Sequence, residues 1–254
     1  MRCIGIFLEI IMRKYIKSVL LLLLLSANVC LYSKSFNNLN DKVTHYKNRY
    51  KVNCLNEKIT DNYGNGFDEL YGTRNMKTIL FGIAYRGGAN NYYHKTNKRD
   101  NQNPLPEDGL TNLCNEGFSN AIYLYGTNFY KVENKVLVNG NKDTLFYIQN
   151  SGMSRKTQED IIKIVKDRID NPNLGPVYLH CWNGWHQSGY VSAMILMQFC
   201  GYSNQQARTY WEQNTDGAYK KFDNVKKMIA NFVPFQEYKI DKATSDLICP
   251  CMKK

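Results

Sequence analysis

Reactive side chains are concentrated in one stretch, His180-Cys181-Trp182-Asn183-Gly184-Trp185-His186-Gln187-Ser188-Gly189. It follows the short apolar run Val177-Tyr178-Leu179 and leads directly into Tyr190–Cys200, where Val191, Ala193, Met194, Ile195, Leu196, Met197 and Phe199 make a helix apolar nearly all round. A short loop from a strand end into a helix N-terminus turns several backbone N–H groups into one hollow. The helix dipole adds to the effect, so such a hollow suits an anion. A cysteine at the start of that loop gains thiolate character, because a free thiol pKa of about 8.5 falls by several units in such surroundings. Cys181 is therefore the candidate nucleophile, poised over a bound phosphate, and Gly184 lets the backbone turn tightly toward it. Cys181 as a small buried hydrophobe in a purely structural loop is the plainer alternative. Trp182 and Trp185 also fit two roles, stacking on a planar ligand or packing beside the buried helix.

The elements that must position this loop are legible from hydrophobic spacing. Thr78–Tyr85 suits a buried strand closed by Arg86-Gly87-Gly88, and a helix is predicted from Pro106 to about Phe118, with Leu110, Leu113, Cys114 and Phe118 on one face. Ala121–Tyr125 and Thr144–Ile148 read as strands, with a shorter one from Val136 leading into an Asn139-Gly140 turn. Thr157–Ile169 has helical spacing and is broken at Asn171-Pro172. Beyond the buried helix, Ser203 and Gln206 form a capping box for a helix to about Trp211, and a last helix spans Tyr219–Phe232. Strands alternating with helices indicate an α/β fold, a central and mostly parallel sheet flanked by helices. The anion-binding loop lies between a strand and the buried helix.

The motif His180-Cys181 with Gly184, Ser188 and Gly189 resembles the His-Cys-x-x-Gly-x-x-Arg-Ser/Thr-Gly signature of the cysteine-dependent protein tyrosine and dual-specificity phosphatases. Ala84-Tyr85-Arg86-Gly87-Gly88 resembles that family's opening strand and turn, and the likeness covers residues 78 to about 235. The resemblance implies a protein tyrosine phosphatase-like fold. It also implies roles: Cys181 as nucleophile accepting the phosphoryl group, His180 as buttress that helps depress the thiol pKa, and Ser188 as the hydroxyl that assists breakdown of the thiophosphate. Trp182, Asn183, Gly184, Trp185, His186, Gln187 and Gly189 complete the phosphate-binding loop.

Two positions depart from the pattern. Where the family has arginine, this chain has Gln187, which replaces a charged two-pronged grip on phosphoryl oxygens with a neutral amide. Losing even one neutral oxyanion donor costs roughly 10² to 10³ in rate. His186 could lend partial charge only if protonated. The family's general-acid aspartate also has no counterpart in Gln149-Asn150-Ser151-Gly152-Met153-Ser154; Asp143 sits at the wrong end of the strand, and Glu159 and Asp160 fall in the next helix's first turn. The expected function is thus binding of phosphate-bearing ligands, a phosphorylated protein or a small molecule, with hydrolysis impaired or absent. The alternative is an active atypical phosphatase acting on protein or inositol phosphomonoesters, with Arg86, Arg155 or Arg208 supplying the missing guanidinium in space. No cofactor and no metal is called for.

The 254 residues carry 33 basic and 22 acidic side chains, a net +11. Four of the basic residues and one acidic residue lie within 1–33, which leaves a dispersed +8 with no block of five like charges, so a nucleic-acid arm is not expected. Met12-Arg13-Lys14-Tyr15-Ile16-Lys17, then Val19 and Leu20–Leu25, then Ser26-Ala27 have the three-part layout of an export signal, with Met12 as an alternative start. An uncleaved anchor, or lipidation at Cys30, would instead leave the chain attached to a membrane. The expected organisation is a signal over 1–33, an irregular lead-in over 34–75, a phosphatase-like domain over 76–238 and a tail over 239–254, working outside the cytoplasm. In an oxidising compartment Cys249-Pro250-Cys251 could pair with distant partners such as Cys54, whereas it falls short of a four-ligand zinc set.

Overall fold

Successive side chains of a strand face opposite sides of its sheet, and in the strand before the cysteine loop both sides are filled. Val177 and Leu179 belong to one buried apolar cluster and Tyr178 to the other. The computed structural model describes residues 35–89, 104–125, 135–140 and 143–251. The expected leader, with Met12 and Cys30, lies outside them. The sheet runs in the order β1 (Thr73–Leu80), β2 (Ala84–Ala89), β6 (Val177–Cys181), β3 (Asn120–Tyr123), β5 (Thr144–Gln149) and β4 (Lys135–Val138). The four central strands are parallel and the two edge strands pair antiparallel, so the expected α/β fold with a mostly parallel sheet is observed.

Helices cover both faces. One apolar cluster takes residues from α1 (Leu39–Tyr50) and α2 (Glu107–Asn115); the other is built mainly on α3 (Arg155–Asp170), α4 (His186–Phe199), α5 (Asn204–Gln213) and α6 (Asp223–Asn231). Every residue of α4 from Ser188 to Phe199 is buried. Each large apolar side chain there contributes about 1.5–3 kcal/mol, which fixes the helix whose first turn forms part of the loop. Among the described residues no helix is long and apolar enough to cross a membrane.

The structure departs from the sequence expectations in three places. The lead-in expected to be irregular over 34–75 holds α1, capped by the Asn38 side chain, which accepts from the Asp41 amide at 2.9 Å. Its buried face is Lys42, Val43, Tyr46 and Tyr50, so no apolar stripe announces it. Lys42 is buried because its Nζ donates to the carbonyls of Arg168 (3.1 Å) and Leu174 (2.7 Å), and burial followed by the Arg168 charge pushes its pKa down to about 7. The run Thr78–Tyr85 is not one strand: the chain reverses at Phe81-Gly82-Ile83, with Gly82 at φ 70°, and both arms are apolar because both are buried.

The third departure is the expected tail, 239–254, which contains α7 (Lys242–Ile248) with Ile248 fully buried. Two disulfides tie it down: Cys54–Cys251 closes a separation of 197 residues and Cys200–Cys249 one of 49. Cys114 and Cys181 remain as buried thiols. Peptide mapping of the unreduced protein is expected to recover these two cross-links. Urea unfolding after reduction should show a loss of about 2–4 kcal/mol per bridge. Alkylation of all six of these cysteines in unreduced, denatured protein would contradict the pairing.

Candidate functional site

Cys181 ends β6 and is buried, and its Sγ lies 3.4 Å from Ser188 Oγ in the first turn of α4. The segment between them is held by its carbonyls. The Leu124 amide donates to His180 O (3.0 Å) and the Ala89 amide to Trp182 O (3.0 Å). Asn75 Nδ2 donates to Asn183 O at 2.8 Å, Arg86 Nη2 to Gly184 O and to Trp185 O (3.3 Å), and Trp211 Nε1 to His186 O (3.2 Å). A trans peptide sets its N–H opposite its C=O. Bonding the carbonyls of 182–186 to their supports therefore sets the N–H of 183 and of 185–187 on the opposite side of each peptide, whereas the Gly184 amide faces β2 in the antiparallel bridge between Gly88 and Asn183; amides so exposed suit an anion. Close contact with β2 requires glycine on both sides. A Cβ on Gly88 would meet Trp182 O at 2.2 Å, and one on Gly184, at φ 76°, would meet the Gly87 carbonyl carbon at 2.7 Å.

Arg86 is the central support. It is fully buried, and besides the two loop carbonyls it reaches Asn214 O (3.4 Å) and Tyr210 Oη (3.3 Å). Lys77, also buried, donates to Asn214 Oδ1 at 2.5 Å, and burial followed by the Arg86 charge pushes its pKa down to about 7. Arg86 thus brings its charge to the carbonyl side of the loop, and Lys77 reaches it only through Asn214. Of the three arginines considered as substitutes, Arg86 meets the loop at its carbonyl side. Arg155 stacks 3.3 Å from the Phe235 ring centroid and donates to Val233 O at 2.6 Å, while Arg208 pairs with Glu212 at 2.9 Å.

His180 buttresses the loop as a neutral ring. It is fully buried, and desolvation pushes its pKa down to about 3. Its Nδ1 lies 3.3 Å from the Cys181 carbonyl, which only accepts, so Nδ1 carries the proton and Nε2 accepts from the Tyr147 hydroxyl at 3.1 Å. Tyr123, Tyr147 and Tyr178 pack around the ring with centroids 5.4–5.8 Å away. His180 therefore brings no positive charge to the loop. His186 adds none either. Burial lowers its pKa, its Nε2 donates to Ala218 O at 2.6 Å, and it stacks 3.6 Å from Phe222.

Gln187 lies in the first turn of α4, which starts at His186 rather than at the expected Tyr190. With Tyr125, Tyr190 and Phe222 it lines a cleft of about 210 Å³ that has no charged lining residue except, by titration, the neutral His186. The Gln187 Oε1 is buried with no hydrogen-bond partner. Tyr125 was not singled out by sequence; the Trp182 amide donates to its hydroxyl, and burial followed by the nearby Cys181 raises its pKa. Trp182 and Trp185 are half-buried at the rim, and neither lines this cleft.

The carboxylates near in sequence are engaged elsewhere. Asp143 closes its own turn with Asn139 (3.0 Å), Glu159 accepts from Tyr238 Oη (3.2 Å), and Asp160 pairs with Lys156 (2.7 Å). Because α3 starts at Arg155, Glu159 and Asp160 fall beyond its first turn, which the Ser154–Thr157 capping box closes without a carboxylate. Among the described residues no cluster of three or more metal-ligating side chains occurs.

Two expectations follow. Arg86→Lys keeps a charge but loses the fork, and should cost about 2–4 kcal/mol in urea unfolding while speeding hydrogen exchange at amides 183–187. Unchanged exchange would contradict Arg86 as the support. The second concerns His180, whose folded pKa lies below its unfolded value of about 6.5, so its stabilisation is present above pH 6.5 and is lost as pH falls toward 3. This contributes a slope of up to about 1.4 kcal/mol per pH unit, which His180→Asn should remove. Equal slopes for the two proteins would contradict a neutral buried His180.

No protein-family model matches the chain, and no curated protein matches it in sequence. Among solved structures it is similar to Tk-PTP in its active form, with 17% identity over 62% of this chain and 97% of that one and a TM-score of 0.43. It is also similar to the core catalytic domain of the PP-IP phosphatase SIW14 from S. cerevisiae, with 12% identity over 62% and 85% of the two chains and a TM-score of 0.39. The third is TpbA from P. aeruginosa, with 13% identity over 61% and 86% and a TM-score of 0.37.

Proposed function

We propose that this chain is an exported protein tyrosine or dual-specificity phosphatase-like protein that binds phosphate-bearing ligands through its cysteine loop and hydrolyses them poorly or not at all. The observation that carries the reading is the carbonyl anchoring of 182–186, which leaves the amides of 183 and 185–187 on the side of their peptides away from these supports, where they can meet an anion at the cysteine loop. Hydrolysis would need three further acts. A thiolate attacks phosphorus to form an S–P bond, the leaving oxygen departs with the P–O electron pair and takes up a proton, and water then cleaves S–P.

Gln187 offers no charge for the phosphoryl oxygens in the first act. No carboxylate lines the cleft to supply the proton in the second. The third has its hydroxyl: Ser188 Oγ stands 3.4 Å from Cys181 Sγ, and this retained pair favours the second reading, an active atypical phosphatase. Export is supported by the basic and apolar N-terminal pattern together with two disulfides in a chain whose other described cysteines stay buried. Phosphorylated protein and small phosphomonoesters both remain partners of this reading.

Turnover of para-nitrophenyl phosphate separates the two readings. Wild type is expected to show no turnover that Cys181→Ser removes, and Gln187→Arg to gain at least about 10²-fold over it. Cysteine-dependent turnover by wild type would replace the binding reading with the atypical enzyme.

A further inference from the structure

The cleft beside Gln187 does not end there. Met153 and Met228 form its far wall, and the same two side chains line a second depression of about 500 Å³ that continues to Arg155, Lys227, Phe232 and Val233. The two hollows therefore adjoin at this pair, the first touching the cysteine loop through His186 and Gln187 and the second touching no loop residue, and together they are termed the groove. Its lining changes character along its length. Near the loop it is aromatic and uncharged; at the far end it carries two cations, and no carboxylate lines either part. Arg155 is held in place by its 3.3 Å stacking on Phe235 and its bond to Val233 O, so its charge is pre-oriented. Met153 (46% exposed) and Val233 (63% exposed) leave apolar surface open at its edges.

Building on the proposed phosphate-binding reading, we propose that this groove is a second subsite that takes an acidic peptide segment flanking a phosphorylated residue held at the cysteine loop. Charge complementarity selects an acidic occupant at the Arg155–Lys227 end. The uncharged, methionine-walled middle suits the body of an extended chain. A compact polyphosphorylated ring would need cations crowded around the loop, and the cleft at the loop has none.

The test uses the full chain and labelled phosphotyrosine peptides of equal length. They carry a Glu pair, an Ala pair or a Lys pair on either side, about three to five residues from the phosphate, the reach of an extended chain along such a groove. Fluorescence anisotropy should rank them Glu, Ala, Lys, with about fivefold between Glu and Ala that shrinks with added salt. Lys227→Gln, at an exposed position, should weaken the order because Arg155 keeps one charge, and Lys227→Glu, which cancels that charge, should flatten it. Inorganic phosphate should protect Cys181 from iodoacetamide equally in all three proteins. Equal peptide affinities, or an order that Lys227→Glu leaves unchanged, would overturn the groove while intact phosphate protection left the loop reading standing. Absence of both peptide binding and phosphate protection would overturn the two together.

Discussion

The structure depends on how one loop's carbonyls are held. Between Trp182 and His186 each peptide oxygen accepts a hydrogen bond from a neighbouring element: β1 and β2 through Asn75, Ala89 and Arg86, and α5 through Trp211. Because a peptide unit is rigid and trans, each such bond also fixes the direction of the N–H that follows it. The proposed anion site would thus be shaped by the elements around the loop. The glycines of β2 and the loop let the two backbones approach, and the fully buried α4 holds the loop's far end.

This arrangement separates two roles that one arginine on the loop would combine. Arg86 supplies rigidity, and its charge meets the carbonyl side of the loop, bonded to neutral oxygens. Nothing charged stands at position 187, where the amide oxygen is buried and unpaired. On the proposed reading, the loop would keep the dipolar part of an anion site and lack the charged grip that tightens as a phosphoryl group transfers. Binding without efficient turnover would be the chemical outcome of that separation.

Much of this was legible in the sequence. The strand and the all-apolar helix are local and strongly patterned, so the loop between them, with Cys181 at its start and Ser188 in the helix's first turn, could be placed directly. The capping box at Ser203 was equally plain, because its hydrogen bonds join residues three apart. What escaped was set by contacts distant in sequence. Asn75 supports Asn183 across 108 residues and Arg86 supports Gly184 across 98, and neither residue type advertises such a role. Helix α1 escaped because Lys and Tyr make most of its buried face, and α7 because disulfides and one buried Ile248, rather than periodicity, anchor it. The neutrality of His180 came from complete burial among tyrosines, which spacing cannot reveal.

The central proposal is that the amides of residues 183 and 185–187 form an anion site without help from a loop arginine. Amide-resolved NMR during titration with inorganic phosphate tests it most directly. Saturable shifts are expected, concentrated at the backbone amides of 183 and 185–187 and at the Gln187 side-chain amide. Shifts that are absent there, or that scatter over surface lysines without saturating, would contradict it.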